Sequence, residues 1–332
     1  MALAVQLLRS GKLVGMPTET VYGLAADALN EDAVRDVFIA KGRPGDNPLI
    51  VHIADIEQLR PLIAVDPSPA ALKLMEAFWP GPMTLIFPRS KIVPLRTTGG
   101  LDTVAIRFPS HPVAQALISQ SGLAIAAPSG NRSGRPSPTT AAHMLEDMDG
   151  RIDLILDGGS CDVGVESTVI DVTGEFPRIL RPGGVTKEMI TEVCGGCEVD
   201  GAVMRPLKEN ELPKSPGMKY RHYAPVGQLT IYHGKPENVS AAICKAYDGA
   251  LTEGHRPLIL ALDGNIASYG ERRCESLGSD ATQMAHAVFA VLRDADSVNA
   301  DVIFSEAVET EGIGLAVMNR LGRAAAFHIV EV

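Results

Sequence analysis

Six short segments of the chain share one design, in which a run of small or apolar residues adjoins a polar loop rich in glycine and proline. Short apolar runs bounded by turn residues are typical of buried strands, and several of these runs alternate with stretches of helical spacing. This pattern predicts an open α/β sheet with polar loops at the strand ends, where such sheets usually bind ligands. The six segments are residues 17–23, 41–48, 103–107, 129–137, 164–168 and 181–184.

The order of the predicted elements divides the chain into three parts. In residues 1–200 strands and helices alternate early and strands cluster later, which predicts a twisted mixed α/β sheet. Residues 201–226 contain four prolines and are interpreted as a linker. In residues 227–332 strands and helices alternate regularly, which predicts a small Rossmann-like C-terminal domain with a parallel sheet.

Three local patterns give specific expectations. Residues 13–16 are apolar and residues 17–24 are mainly polar, which predicts a strand followed by a loop. The sequence Ile-Asp-Leu-Ile-Leu at residues 152–156 predicts another strand. Asn30 precedes apolar residues with helical spacing, so we expect it to cap a helix over residues 31–40.

Composition and charge limit the classes of function. The net charge is −10 and the pI is near 5.3, which argues against a broad nucleic-acid-binding surface but not against a local basic cavity. No apolar run approaches the ~20 residues that a membrane-spanning helix needs. The N-terminal residues do not resemble a signal peptide, and five cysteines do not resemble a secreted disulfide framework. We therefore expect a cytoplasmic protein without membrane contact.

Several common catalytic and metal-binding motifs are absent from the sequence. It contains no P-loop motif, no H-E-x-x-H and no G-x-S-x-G. Cys194 and Cys197 have C-x-x-C spacing, but no second pair supplies the other two ligands of a structural zinc site. We therefore predict no metal site built by protein side chains.

Four cations lie in or beside the polar loops, and they carry the main chemical signal. They are Lys41, Arg43, Arg107 and Arg181. The planar fork of arginine binds phosphate or carboxylate in a bidentate manner, and loop hydroxyls and amides can bind the remaining oxygens. Any one loop could be an ordinary turn with solvated charges, but six loops of the same character favour a site for anionic ligands.

Five motifs in this order resemble the YrdC-type threonylcarbamoyl-AMP synthases. They are PTETVYGLAADA, KGRPGDNPLIVHI, PSGNRSGRPSPT, GVESTVID and ILRPGG. The strip SPGMKYRHYAP, followed by an α/β domain, resembles the long two-domain form of that family. The similarity covers about the first 225 residues. One departure is Gly130, where the family pattern has alanine; Ser129 and Asn131 match that pattern.

The resemblance implies a fold and an activity. The fold is a YrdC-like sheet around a cationic central cavity. The activity is that of a nucleotidyltransferase, which converts L-threonine, bicarbonate and ATP to threonylcarbamoyl-adenylate and pyrophosphate. A downstream transferase would then carry the threonylcarbamoyl group to the adenosine beside the anticodon of tRNA, so direct RNA contact is expected to be weak or indirect. ATP would be a substrate, with Mg²⁺ carried by its phosphates.

The resemblance also implies roles for individual residues. Lys41 and Arg43 would be catalytic residues on the triphosphate. The linker, including Lys219, Tyr220, Arg221 and His222, would close over the site as a lid. The expected ATP-binding residues are Arg43, Asn47, Thr103, Ser129, Asn131, Ser137, Arg181 and Tyr223, and the expected threonine- and bicarbonate-binding residues are Thr20, His52, Arg107, Ala127 and Ser167.

Two other functions stay open on the sequence alone. One is a carbamoyl-adenylate-forming maturation enzyme, a class that carries zinc-finger and acylphosphatase-like parts; no paired C-x-x-C array is present here. The other is a non-catalytic RNA-binding module that uses a basic cavity, against which the net charge of −10 weighs.

Overall fold

The computed structural model describes residues 1–205 and 223–332, and these divide into two compact units. The first unit comprises residues 1–133 and 137–203, and the second comprises residues 134–136, 204–205 and 223–332. Most of the predicted linker, including Lys219, Tyr220, Arg221 and His222, lies outside the described residues. The predicted domain limits and the lid therefore stay predictions.

The first unit contains a mixed sheet, to which the described residues contribute nine strands in the order β1-β2-β6-β3-β5-β4-β7-β8-β9. Three neighbouring pairs (β3–β5, β4–β7 and β8–β9) are parallel, and the others are antiparallel. The strands are β1 (Val14–Met16), β2 (Gly23–Asp27), β3 (Ile50–His52), β4 (Met83–Pro88), β5 (Thr103–Arg107), β6 (Ile125–Ala126), β7 (Thr168–Asp171), β8 (Arg178–Arg181) and β9 (Glu198–Val199).

Six α-helices accompany this sheet within residues 1–205. Short 3₁₀ turns lie at Ile56–Gln58, Arg60–Leu62 and Gly201–Val203. The helices are α1 (Ala2–Arg9), α2 (Glu31–Lys41), α3 (Pro69–Phe78), α4 (Pro112–Ser121), α5 (Ala141–Met148) and α6 (Lys187–Cys194).

The two faces of the central strands have different neighbours. Side chains alternate between the faces along each strand. Val51, Leu85, Ile106 and Ile170 belong to the main apolar core of the unit. The opposite face carries a separate, small apolar cluster, and it is this face that also bears polar side chains.

Helix α2 begins and ends at residues that the sequence identifies well. The Asn30 side chain accepts hydrogen bonds from the N–H groups of Asp32 and Ala33, so the predicted N-cap is confirmed. The helix ends at Gly42, whose φ of 65° suits glycine. Lys41 therefore lies in the last helical turn.

The second unit is a Rossmann-like α/β domain, as predicted. Its described strands form a parallel sheet in the order β12-β11-β13-β10-β14. A 3₁₀ segment spans Asp263–Tyr269. The elements are β10 (Gln228–His233), α7 (Pro236–Thr252), β11 (Pro257–Ala261), β12 (Cys274–Ser276), α8 (Ala281–Ser297), β13 (Val302–Glu306), α9 (Gly314–Ala324) and β14 (Ile329–Glu331). Across the described residues of both units, no helix is long and apolar enough to cross a membrane.

The strand predicted at residues 152–156 is wrong. The segment makes a single bridge with β1, in which Gly15 N–H donates to Leu154 O and Leu156 N–H donates to Gly15 O. Strand β1 is only three residues long, so the ladder does not extend. The apolar side chains pack instead against two different clusters. Ile155 packs on the main core, and Leu154 packs on a second apolar cluster that includes residues of α1 and α4.

The loop predicted at residues 17–24 is too long at its C-terminal end. Gly23 and Leu24 already belong to β2, which pairs with β1 on one side and β6 on the other. The strand sequence Gly-Leu-Ala-Ala-Asp lacks β-branched and aromatic residues, so its local signal is weak. Pairing with β1 and β6 makes this segment a strand.

Candidate active site

A row of side chains crosses the middle of the first sheet. His52 of β3 is the direct partner of Arg107 of β5, and Arg107 is the partner of Thr84 of β4. Val169 of β7 and Arg181 of β8 continue the row. Direct partners project to the same face of a sheet. The strand order therefore places predicted threonine-site and ATP-site residues along one line.

Apolar side chains flank this row on the same face. Ile50, Ala105 and Ile86 form a cluster with Val169 and Leu180 that is separate from the main core. Thr103 precedes Arg107 by four residues on β5, so alternation places it on the same face. The face thus combines an apolar floor with polar groups, as small-molecule sites do.

Arg107 is held by two residues of the loop that follows β1. Its Nη1 donates to Thr20 Oγ1 at 2.9 Å, and its Nη2 lies 2.8 Å from Glu19 Oε1. All three side chains are buried. Arg107 Nε and Nη2 are also buried and have no hydrogen-bond acceptor within residues 1–205 and 223–332, so the contact of Nη2 with Glu19 is an ion pair only. A donor of this kind suits an oxygen of a ligand.

His52 lies beside this pair and is neutral at physiological pH. Burial and the charge of Arg107 lower the pKa of His52 to about 3, despite the opposing charge of Glu19. Its Nδ1 is 3.1 Å from Ile50 O. A carbonyl oxygen can only accept, so this contact is a hydrogen bond in the tautomer that carries its proton on Nδ1. His52 therefore offers a fixed, uncharged ring.

Ser167 and Arg181 are in direct contact, although they were predicted to bind different substrates. Arg181 Nη2 donates to Ser167 O at 3.0 Å and to Ser167 Oγ at 3.2 Å. Ser167 Oγ is also 2.8 Å from Thr84 Oγ1. A β-carbon on Gly183 would lie 2.4 Å from Glu166 O, so only glycine permits this approach of the two loops.

Lys41 binds the loop that contains the nucleotide-binding candidates. Its Nζ donates to the main-chain oxygens of Ser129 and Asn131, the latter at 2.7 Å, and Ser133 N–H donates to Lys41 O. Burial, together with the charge of Arg43, holds the pKa of Lys41 well below its ordinary value. The direct contact of Lys41 with a triphosphate stays a prediction.

The remaining ATP-site candidates in the first unit lie around this loop and the turn after α2. Ser137 Oγ donates to Glu166 Oε1 at 2.6 Å, and both side chains are buried. Asn47 is fully buried, and neither polar atom of its amide has a hydrogen-bond partner among the described residues. Arg43 is half-buried, with its guanidinium 5.3 Å from the centre of the Phe38 ring.

Comparison with known proteins identifies the family. The sequence model of the Sua5/YciO/YrdC family, described as telomere recombination, matches residues 6–183, more than half of the chain. The chain belongs to the Sua5/YrdC family. A second model, described as the C-terminal domain of threonylcarbamoyl-AMP synthase, matches residues 185–326. The chain therefore has the two-domain Sua5 form, and the predicted family is confirmed.

Relatives of the same length support this assignment. The threonylcarbamoyl-AMP synthase of Pyrococcus abyssi (strain GE5 / Orsay) is 47% identical over 330 residues, which cover 99% of this chain and 95% of that protein. The protein of that name from Bacillus subtilis (strain 168) is 47% identical over 332 residues, or 99% and 94% of the two chains. The crystal structure of P. abyssi Sua5 complexed with L-threonine matches with a TM-score of 0.94 at 47% identity, covering 99% of this chain and 95% of that chain.

One departure from the family pattern has a structural counterpart. At Gly130, where the resemblance to the family implies alanine, a β-carbon would lie 2.6 Å from Met144 Cε. The Met144 side chain thus occupies the space of the missing methyl group. Gly130 N–H donates to Tyr22 O, so the main chain of the loop keeps its contact with the turn before β2.

Two predicted residues are placed differently from the rest. Ala127 is buried, and its N–H donates to Ile50 O at 3.1 Å, beside β3. Tyr223 lies in the second unit, where its ring centre is 5.1 Å from that of Phe289 and Arg320 lies over the ring. A contact of Tyr223 with the nucleotide stays a prediction.

The sequence interpretation did not assign a role to two buried carboxylates, Glu19 and Glu166. Each lies inside a Sua5/YrdC motif, without a cation close by in sequence. The sequence does carry a signal for such residues: an acidic residue in an otherwise buried segment needs a hydrogen-bond donor or a cation from a remote part of the chain. For Glu19 that cation is Arg107, and for Glu166 one donor is Ser137.

Proposed function

We propose that this Sua5-family protein forms L-threonylcarbamoyl-AMP from L-threonine, bicarbonate and ATP, with release of pyrophosphate. The observation that carries the proposal is similarity over nearly the whole chain to proteins named threonylcarbamoyl-AMP synthase, including one whose structure is a complex with L-threonine. The product would serve tRNA modification through a separate transferase. A cytoplasmic location stays a prediction.

The first half of the site is proposed to bind threonine and the carboxylate made from it. The buried Nε of Arg107 can donate to a carboxylate oxygen, since Nη1 and Nη2 already contact Thr20 and Glu19. His52 is the neighbour of Arg107 on one side of the row, and Ser167 contacts Thr84, the neighbour on the other side. Both can contact the amino acid without adding charge. Ala127 would line this half next to β3.

The second half is proposed to bind ATP. The Asn47 amide, which has no hydrogen-bond partner in the part of the chain that the structure describes, and the half-buried guanidinium of Arg43 lie on the turn after α2. Both can bind phosphate oxygens. Arg181 reaches the first half through Ser167, which would bring the α-phosphate beside the carboxylate. The other proposed ATP contacts are Thr103, Ser129, Asn131, Ser137 and Tyr223.

The proposed reaction needs alignment and charge neutralisation more than proton transfer. A carboxylate oxygen of N-carboxythreonine attacks the α-phosphorus, a new P–O bond forms, and the bond to pyrophosphate breaks. The residues would hold the two reactants in line and exclude water from the mixed anhydride. Mg²⁺ would be bound by the phosphates.

The proposal is tested by incubating the purified full chain with ATP, Mg²⁺, bicarbonate and single amino acids. We expect pyrophosphate release that depends on threonine, and an adenylate with the mass of threonylcarbamoyl-AMP. Pyrophosphate release that needs carbamoyl phosphate and ignores threonine would instead indicate a carbamoyl-adenylate enzyme. Tight, salt-sensitive RNA binding without ATP turnover would indicate an RNA-binding module.

A further inference from the structure

Glu19 is a buried carboxylate next to the threonine half of the site. Only 4% of its surface is exposed, and its Oε1 lies 2.8 Å from Arg107 Nη2. Burial alone would raise the pKa of Glu19, but the charge of Arg107 in the ion pair outweighs it, and the pKa lies below its ordinary value. Glu19 is therefore an anion at neutral pH, paired with the cation proposed to bind threonine.

The other side of the guanidinium is fixed by a chain of hydrogen bonds with one direction. Thr18 Oγ1 donates to Val21 O at 2.6 Å, so its proton is not available to Thr20. Thr20 must then donate to Thr18 Oγ1, at 2.9 Å, and accept from Arg107 Nη1. Nη1 of Arg107 is thus hydrogen-bonded to Thr20, and Nη2 forms an ion pair with Glu19 that lacks hydrogen-bond geometry. Nε has no hydrogen-bond acceptor in the described chain.

We propose that Glu19 is a positioning residue for threonine: it orients the Arg107 guanidinium so that Nε–H points to the carboxylate of the amino acid. This inference rests on the proposed function. Glu19 acts through Arg107, because its own carboxylate oxygens are fully buried in the structure. The ion pair also lets an arginine stay buried before the substrate binds.

Charge and orientation predict opposite effects when the Glu19 charge is removed. If only charge mattered, an uncompensated Arg107 would attract a carboxylate more strongly. If orientation matters, loss of the Glu19 carboxylate frees the guanidinium to turn, and threonine binding weakens. The geometry favours orientation, because two side chains from one loop hold the two terminal nitrogens.

The test is the variant Glu19→Gln, which keeps the size of the side chain and removes its charge. We expect the KM for threonine to rise by about tenfold or more, with kcat and the KM for ATP within about twofold of wild type. A purely structural role would lower the active fraction, and hence kcat, without this separation. An unchanged or lower KM for threonine would overturn the proposal.

The matched control is Glu306→Gln, at a buried glutamate of the second unit that accepts hydrogen bonds from Tyr269 and Asn265. It is expected to lower the melting temperature but not to change the KM for threonine.

If Glu19→Gln does not fold, Glu19→Asp is the second variant. It keeps the charge with a shorter reach and must raise the KM for threonine; failure of both variants to fold would count against the proposal. A wild-type chain without threonine-dependent pyrophosphate release would refute the proposed function itself.

Discussion

Lys41 and Asn131 are 90 residues apart in sequence, and a 2.7 Å hydrogen bond joins Lys41 Nζ to the main-chain oxygen of Asn131. Lys41 Nζ also donates to Ser129 O. The last turn of α2 therefore determines where the loop with Ser129, Asn131 and Ser137 lies. In the described structure the Lys41 amine donates to protein carbonyl groups.

Replacing Lys41 by methionine removes both hydrogen bonds and keeps most of the side-chain volume. A hydrogen bond contributes about 0.5–1.5 kcal/mol, and two are lost that hold the loop in place, so we expect the KM for ATP to rise at least about tenfold. The KM for threonine should change less. Steady-state kinetics with each substrate varied in turn would measure this. Lys73→Met, at an exposed position of α3, is the control, and an unchanged KM for ATP in Lys41→Met would contradict the prediction.

Replacing Arg43 by alanine removes a guanidinium from the turn beside Asn47. We expect the rate of adenylate formation to fall at least about tenfold, the effect of losing one charge-assisted hydrogen bond to phosphate. Pyrophosphate release measures it. Arg35→Ala is a matched control on α2, because Arg35 is half-exposed and pairs with Asp32 and Asp36. Near-normal activity of Arg43→Ala would argue against a phosphate contact.

Much of the fold followed from local sequence patterns. Apolar runs beside polar loops predicted an α/β sheet with loops at the strand ends, and residues 41–48 and 164–168, which carry Asn47 and Ser167, were among these segments. The helical spacing and the Asn30 cap predicted α2. Such signals are local, because burial of one face and the satisfaction of helix-end N–H groups depend on neighbouring residues.

The contacts that assemble the site were not predictable in this way. Glu19 meets Arg107, and Ser137 meets Glu166, only because the strand order brings distant segments together. Strand order depends on pairing between remote segments, which no local pattern encodes. For the same reason β2 was missed: its neighbours, rather than its own residues, make it a strand.

The buried, neutral His52 gives a pH dependence of stability. Unfolded, its pKa is near 6.5, whereas in the folded protein it is about 3. Between these values the unfolded state binds more protons, so the free energy of unfolding falls as the pH falls, by up to about 1.4 kcal/mol per pH unit. His52→Gln cannot titrate and should lose this part of the slope. Urea denaturation between about pH 7 and pH 4.5 measures it.

The control for this prediction is Ala241→Gln, which adds a side chain that does not titrate at an exposed position of α7. Its pH dependence should stay close to that of the wild type. If His52→Gln and the wild type lose stability in parallel as the pH falls, then His52 is not held neutral by burial and by the charge of Arg107.

Gly183 allows the loop after β8 to approach the segment that carries Ser167, because an added β-carbon would lie 2.4 Å from Glu166 O and 2.5 Å from Thr168 N. These atoms belong to the main chain and cannot turn aside as a side chain can. We expect Gly183→Ala to lower the free energy of unfolding by about 1–3 kcal/mol. Displacement of Ser167 should also raise the KM for threonine. Chemical denaturation and kinetics on the same sample measure both effects.

The control Gly249→Ala lies within α7 with open space around it, and it should raise stability by up to about 1 kcal/mol. Equal stability of the two variants would show that the first unit has room at Gly183 that the main-chain distances exclude.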